Sequence, residues 1–318
     1  MKKMKNKIYP SSDLLINVGK TKLGKEVYFN LLDDFFSNFG FYINIGGDIY
    51  DFPYTFEFID YANKKGVKSI GVYASRLTLE YAKKFSKQKV RAIMFPLQSI
   101  NKIANDKILG RGSYKRTMAG VRIAKKYGLG TEIITVADKN ALIEIPKIVK
   151  FMEKNEIDLL VVARSIMKRY YHLNLKQFPY SKYKDLLDYL VKENTRLREN
   201  GDGKISLMSC PHKILLDNTL EEIGVMGGCS GGSISCYISQ KGTVHPCAAL
   251  DKLVVGNIKK ERFSDIWRES KIFREFRTRD KLKGKCGDCK YKFKCGGCRA
   301  DAYYKYHDLW VEDPNCWI

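Results

Sequence analysis

From residue 13 to residue 199 the chain alternates short apolar runs with amphipathic stretches, and that alternation predicts its architecture. Asp13–Val18 reads as a strand, and Lys25–Phe36 as a helix with apolar residues three and four apart. Phe41–Ile45 is a second strand that stops at Gly46-Gly47, and the helix Tyr54–Lys65 ends before Gly66, as a helix closed by a left-handed glycine does. The pattern repeats in strands at Ser69–Ala74, Val90–Pro96, Thr131–Val136 and Asp158–Ala163, and in helices at Leu77–Phe85, Ser113–Tyr127, Ala141–Lys154 and Tyr183–Glu199. Six strand–helix units in a row predict an α/β fold: a parallel sheet with right-handed crossovers, curled into an open or partial barrel. Such a fold places its site at the C-terminal ends of the strands, where Asp48, Tyr73, Ser75, Arg76, Gln98 and Arg164 fall. Each of them alone is equally explained as a loop residue making local hydrogen bonds, Asp48 as a helix-start cap.

Asn200-Gly-Asp-Gly-Lys204 is a polar, Gly-rich break that divides the chain into expected modules 1–200 and 201–318. The second module has little long secondary structure. Ile205–Cys210 and a linker lead into it, and its regular pieces are a hairpin of Ser233–Ser239 and Val244–Cys247 around Gln240-Lys-Gly242 and a short helix near Ser264–Phe273.

Charge changes the picture next. Lys and Arg number 57 against 35 Asp and Glu, a net +22, which favours acidic partners even though much of it is a solvated lysine surface. No nucleic-acid motif accompanies the charge, so nucleic acid is not the expected partner. No apolar run approaches a membrane span, and Leu14–Val18 is too short for the apolar region of a signal peptide. A cytoplasmic protein is expected, one whose thiols stay reduced.

Cysteine then changes it most. None of the nine precedes Cys210, and eight form a ladder: Cys229-x6-Cys236-x10-Cys247, Cys286-x2-Cys289-x5-Cys295-x2-Cys298, and Cys316. In a reducing compartment such density points to metal, and eight thiolates suffice for two four-cysteine sites. Short C-x2-C pairs suit iron–sulfur clusters and structural zinc alike, so spacing alone leaves both open. The four histidines show no i, i+4 pairing of the kind that binds metal.

The ladder resembles the SPASM domain, the C-terminal extension of many radical SAM enzymes that mature peptides and proteins. Cys229 and Gly242 enclose twelve residues and Gly242-x4-Cys247 follows, fitting that family's opening signature, and Cys286-x2-Cys289-x5-Cys295 fits its next element. The resemblance implies two auxiliary [4Fe-4S] clusters, one held by Cys229, Cys236, Cys247 and Cys298 and the other by Cys286, Cys289, Cys295 and Cys316. One departure is the x2 spacing of Cys295 and Cys298, where x3 is frequent. Sulfatase-maturating relatives carry an aspartate base directly after the cysteine matching Cys247; Ala248 stands here, so that role is not carried over.

The first module resembles the partial (β/α)6 TIM-like barrel of radical SAM type that precedes a SPASM domain. Gly46-Gly47-Asp48 stands where that family has its GGE motif for the amino group of S-adenosylmethionine, and Asn105–Tyr114 resembles the loop and helix start after its fourth strand. Missing is the C-x3-C-x2-C loop of the catalytic cluster: Val18 is followed by Gly19-Lys-Thr-Lys-Leu-Gly24 and then the first helix. The resemblance therefore implies a pseudoenzyme with a vestigial S-adenosylmethionine site, and whether that site still binds is left open. As partners it implies an active radical SAM enzyme, an acidic peptide substrate or an electron donor. Two roles stay open, an electron-transfer or substrate-presenting partner in maturation and a non-redox scaffold whose clusters are structural.

Overall fold

The structure is a computed structural model that describes residues 13–38, 40–164, 175, 178–201, 204–208, 211–212 and 228–318. In chain order its elements are β1 (Asp13–Val18), α1 (Lys25–Asn38), β2 (Tyr42–Gly47), α2 (Thr55–Lys64), β3 (Ser69–Tyr73), α3 (Leu79–Lys87), β4 (Ala92–Pro96), α4 (Lys102–Leu109), α5 (Ser113–Lys126), β5 (Gly130–Ala137), α6 (Ala141–Lys154), β6 (Leu159–Arg164), α7 (Tyr183–Asn200) and β7 (Lys204–Met208). The cysteine-rich region adds β8 (Ser235–Ile238), β9 (Thr243–His245), β10 (Gly256–Asn257), α8 (Phe263–Glu269), α9 (Lys271–Thr278), α10 (Gly284–Asp288) and α11 (Arg299–Tyr306). Contacts group the chain into two compact units, one drawn from 1–73, 87–91 and 230–278, the other from 74–86, 92–229 and 279–318. Both sequence modules contribute to each unit, so module boundaries and contact boundaries are different divisions of the chain.

In the first unit the strands run in the order β10-β9-β8-β1-β2-β3. β1, β2 and β3 are parallel, with Leu14 opposite Ile43 and Ile43 opposite Ile70. Alternation along β1 sends Leu14, Ile16 and Val18 into the core, and α1 and α2 cover the sheet with Tyr28, Leu32, Phe35, Phe58 and Ile59. β8 and β9 form the expected hairpin, and β8 lies parallel to β1 with Cys236 opposite Leu14. α8 and α9 close the unit around Trp267, which stacks on Phe263 and tilts against Phe273 at centroid distances of 6.1 and 4.8 Å. Asp34 on α1 anchors α8 by accepting the Ser264 backbone N–H at 2.6 Å and the Arg262 guanidinium at 2.7 Å.

The second unit carries β4-β5-β6-β7, all parallel, with Phe95 opposite Ile133, Ile133 opposite Leu160 and Leu160 opposite Ile205. β6 buries five consecutive residues, Leu160 to Arg164, as a strand of a parallel sheet covered on both faces does. Gln98 locks the edge after β4: its side chain donates to the Val136 carbonyl at 2.6 Å and accepts the Val136 N–H at 2.9 Å, while its own N–H reaches Asn105 at 2.8 Å. Gln98 is thus a structural clamp and not a free pocket residue.

Every expected strand and helix of the alternating half is present with ends within two residues. Two expectations need correction. Part of the stretch after β4 expected as loop is helix α4, capped by the Asn101 side chain accepting the Ala104 N–H at 3.0 Å; its short, polar turns leave Ile103 78% exposed and present no apolar periodicity. The single helix expected over Ser264–Phe273 is two, because Ser270 turns extended (φ −58°, ψ 121°) between α8 and α9. Cys210, at the end of the segment Ile205–Cys210, lies outside the described residues. Among the described residues no helix is long and apolar enough to cross a membrane.

Candidate metal centre

Five ladder cysteines lie in the second unit's C-terminal segment, and Cys286, Cys289, Cys295 and Cys316 are four of them. Cys286 sits on α10, Cys289 caps that helix in extended conformation, Cys295 precedes a Gly296-Gly297 turn, and Cys316 follows the Asp313 turn near the end. Both turn glycines are left-handed (φ 70° and 58°), and a Cβ on Gly297 would stand 3.3 Å from the Cys286 sulfur and 2.9 Å from the Asp313 Cβ. Only glycine lets the backbone pass that close. Backbone N–H groups of Gly297 and Tyr291 donate to the sulfurs of Cys295 and Cys289, each at 3.4 Å, and the Arg299 guanidinium reaches Cys286 at 3.7 Å. Such donors favour the thiolate.

Burial acts against it. The Cys295 thiol is pushed up to about 12 by burial, with Asp313, Cys286 and Cys316 adding to the rise and the Gly297 N–H opposing it. Cys316 is raised by burial too, with Cys286, Asp313 and Cys289 contributing. Thiols such as Cys295 and Cys316, which feel the neighbouring cysteines and resist losing their protons to water, are suited to a cationic metal core that replaces those protons. The donor set therefore fits an all-thiolate centre. Among the described residues no three Cys, His, Asp or Glu side chains are drawn together closely enough to hold a single metal ion.

The other four divide between the units. In the first, Cys236 is buried on β8, and Cys247 follows β9, its Cβ 3.3 Å from where Gly231 would carry one. In the second, the Cys229 N–H donates to the Cys295 carbonyl at 2.9 Å, and Cys298 starts α11 fully inside. Burial raises the Cys298 thiol far above its ordinary value, the Arg164 guanidinium opposes this, and Asp301, Asp313 and Cys229 add to it. Arg279 pins this region, donating to the carbonyls of Phe293 at 2.7 Å and of Cys229 and Lys292 at 3.2 Å. All eight are free thiols.

Beside Cys298 lies a buried charge network. Arg164, at the end of β6 and 4% exposed, grips Asp313 bidentately at 2.6 and 3.0 Å, pairs also with Asp301, and stands 4.8 Å from the Tyr183 ring. Asp313 in turn accepts the Cys298 backbone N–H at 2.6 Å. Burial would raise the Asp313 carboxyl, yet Arg164, His212 and the Cys298 N–H together hold it well below the usual carboxylate range. Arg164, expected as one of several strand-end pocket residues, is here an internal ion-pair partner. Asp301, Asp313 and His212 carry no local sequence signal; the Asp313-Pro turn before Asn315-Cys316 is the one hint that the chain folds back there.

His212 packs between Tyr183 and Trp317 with its Nε2 3.7 Å from Asp313. Burial, opposed by Asp313 and reinforced by Arg164 and Arg299, pulls its pKa down to about 4. The neutral ring belongs to the folded state, so its contribution is complete above the ordinary histidine value and is lost as pH falls toward 4. Urea unfolding should show a loss of about 2 kcal/mol between pH 7 and pH 5, and His212→Leu should remove that slope. An equal slope in both proteins would refute the assignment.

The remaining expected residues are local. Gly47 ends β2 at φ +87°, where a Cβ would lie 2.1 Å from the Val18 carbonyl, so β1's close approach alone requires a glycine. Gly46 has ordinary space around it. Asp48 is exposed; its N–H donates to Val18 at 3.0 Å and its carboxylate accepts the Tyr50 N–H at 2.9 Å, closing a turn. Ser75 and Arg76 are exposed after β3.

The chain thus combines a parallel-sheet α/β fold with a C-terminal segment rich in partly or fully buried thiols. The SPASM family, an iron–sulfur cluster-binding domain, matches residues 229–290. The AdoMet-dependent heme synthase of Nitratidesulfovibrio vulgaris is 29% identical over 290 residues, 85% of this chain and 75% of that one. The mycofactocin maturase MftC of Mycobacterium tuberculosis is 26% identical over 288 residues, 87% of this chain and 70% of its own. Among solved structures, Streptococcus suis SuiB bound to the precursor peptide SuiA superposes with a TM-score of 0.75 at 17% identity, covering 98% of this chain and 76% of that one; at such identity the likeness shows the fold. Residues 229–290 thus match the SPASM family, and over more than four-fifths of its length the chain is similar to these AdoMet-dependent and maturase proteins.

Proposed function

We propose that this chain is an iron–sulfur member of the radical SAM/SPASM family that works without a SAM-cleaving cluster of its own, as an electron-transfer or substrate-presenting partner of an active radical SAM enzyme. One observation carries the reading: no cysteine precedes Cys210, and β1 is joined to α1 by Gly19–Gly24 alone. The residues from 19 to 24 offer no thiolate for a cluster with one open iron, and lysines there do not match iron–sulfur preferences. Cys286, Cys289, Cys295 and Cys316 would hold one four-iron cluster, and Cys229, Cys236, Cys247 and Cys298 another, both groupings resting on the resemblance to the SPASM domain. When bound, such clusters supply one-electron redox chemistry. The chain's own residues exclude water by burying Cys286, Cys295 and Cys298, and direct N–H donors at the sulfurs.

Exposed Lys281, Lys283, Lys285, Lys290 and Lys294 flank Cys286 and Cys289, with Phe293 66% exposed among them. This basic rim supports an acidic peptide or an acidic one-electron carrier as partner. A precursor peptide bound to SuiB is consistent with a peptide role. Arg279's three bonds to backbone carbonyls favour a second reading, a scaffold braced by its clusters; clusters that no physiological donor reduces, in a chain its partner still requires, would select it.

Anaerobically reconstituted chain should bind about eight irons and, given S-adenosylmethionine and dithionite, release no 5′-deoxyadenosine. Stoichiometric 5′-deoxyadenosine would overturn the proposal, as would a colourless protein holding zinc alone.

A further inference from the structure

We propose that Asp313 is a positioning residue for both thiol sets, fixing Cys298 in one and Cys316 in the other, and that Arg164 holds it in place. The inference rests on the grouping of cysteines above for which set each belongs to, but its geometry is independent of which metal is bound. Asp313 is 1% exposed and uses every acceptor it has. Its Oδ2 accepts the Cys298 backbone N–H at 2.6 Å, its Oδ1 accepts the Asn315 N–H at 2.9 Å, and its main-chain carbonyl accepts the Cys316 N–H at 3.0 Å. One residue therefore sets the backbone orientation at two cysteines eighteen positions apart in the chain.

The surroundings over-determine its position. Arg164 supplies two parallel N–H donors from the end of β6, a geometry in which a planar guanidinium fork fixes both the location and the tilt of a carboxylate. The Asn315 amide bridges on to Asp301 at 3.1 Å, and Asp301 returns to Arg164, closing a ring of buried polar groups. From the other side Gly297 leaves room for the Asp313 Cβ, which a side chain at 297 would meet at 2.9 Å. Groups that orient metal ligands from behind are worth about 10–100-fold in metal retention, because a ligand free to rotate loses its directional bond to the metal.

The network has an electrostatic consequence as well as a geometric one. Two carboxylates and one guanidinium leave a net negative charge beside Cys298, and a negative charge near an electron acceptor disfavours its reduction. Asp313→Asn preserves the size and one of the two acceptor oxygens while removing the charge; Asp313→Ala removes the charge and both side-chain acceptors. Metal and sulfide content, chelator-resisted metal retention and, for iron-loaded protein, reduction potentials by EPR-monitored titration separate the two effects.

Asp313→Ala, with its folded state verified by circular dichroism, should lose metal to a chelator about 10–100-fold faster than the parent and from both sites. Asp313→Asn, which keeps one acceptor, should retain more metal than Asp313→Ala while its iron-loaded form shifts to a more positive potential, a change that a purely structural residue would not produce. Loss from one site only, or parental retention in Asp313→Ala, would overturn the proposal, as would an unshifted potential in Asp313→Asn. A parent that binds zinc and no iron would sink the cluster reading while the retention assay still decides the role of Asp313. A parent that binds neither metal overturns both.

Discussion

Arg164→Met is expected to cost about 3–5 kcal/mol of folding stability, because removing one partner of a buried ion pair leaves its counter-charges uncompensated. Asp301 and Asp313 are each 1% exposed, and the guanidinium between them is their source of positive charge. Arg164→Lys should rescue little, since an ammonium cannot give Asp313 two parallel bonds. In the methionine variant the carboxylates would bind protons more readily in the fold, so part of the loss should return as pH falls toward 5. Adding Asp301→Asn and Asp313→Asn to Arg164→Met should recover much of the remainder. Urea unfolding of the four proteins tests this, and a loss below about 1 kcal/mol for Arg164→Met would show that water or neighbouring donors already satisfy the pair.

Paired Cys286→Ser and Cys289→Ser substitutions should remove about half of the bound iron, from about eight to about four per chain. Serine hydroxyls keep the size of the thiols but not their softness toward iron. The segment around α10 has few apolar anchors, chiefly Leu282 and the buried cysteines themselves, so a bound cluster would add to its order. Limited proteolysis should accordingly cut the variant within the lysine-rich stretch from 281 to 294 well before the parent. Full iron retention in the double variant would remove these cysteines from the ligand set.

Local chemistry made much of the fold legible. β1 was marked by its short apolar run from Leu14 to Val18, and α6 by its periodic apolar face from Ala141 to Lys154, and both stand at those residues. The β8–β9 hairpin was equally plain from Gln240-Lys-Gly242, whose glycine adopts φ +79°. What was hidden depends on partners remote in sequence. α4 shows no apolar stripe because its Ile103 faces solvent, and the break at Ser270 follows from packing Trp267 and Phe273 into one core. Likewise Arg164 and Asp313 are 149 residues apart, and neither has a neighbour in sequence that announces the pair. Cysteine spacing declared the candidate ligands; the charges that orient them could be found only once the chain was folded.

The parallel pairing of β1 with β8 sets a timetable for making the protein. During synthesis β1 can pair with β2 early, but its other edge must wait until Ser235–Ile238 has been translated, most of the chain later. In the interval the edge presents unpaired N–H and C=O groups beside Leu14 and Ile16, a template for strand addition by other chains. The strand carrying Cys236 therefore closes that edge of the sheet when it pairs with β1.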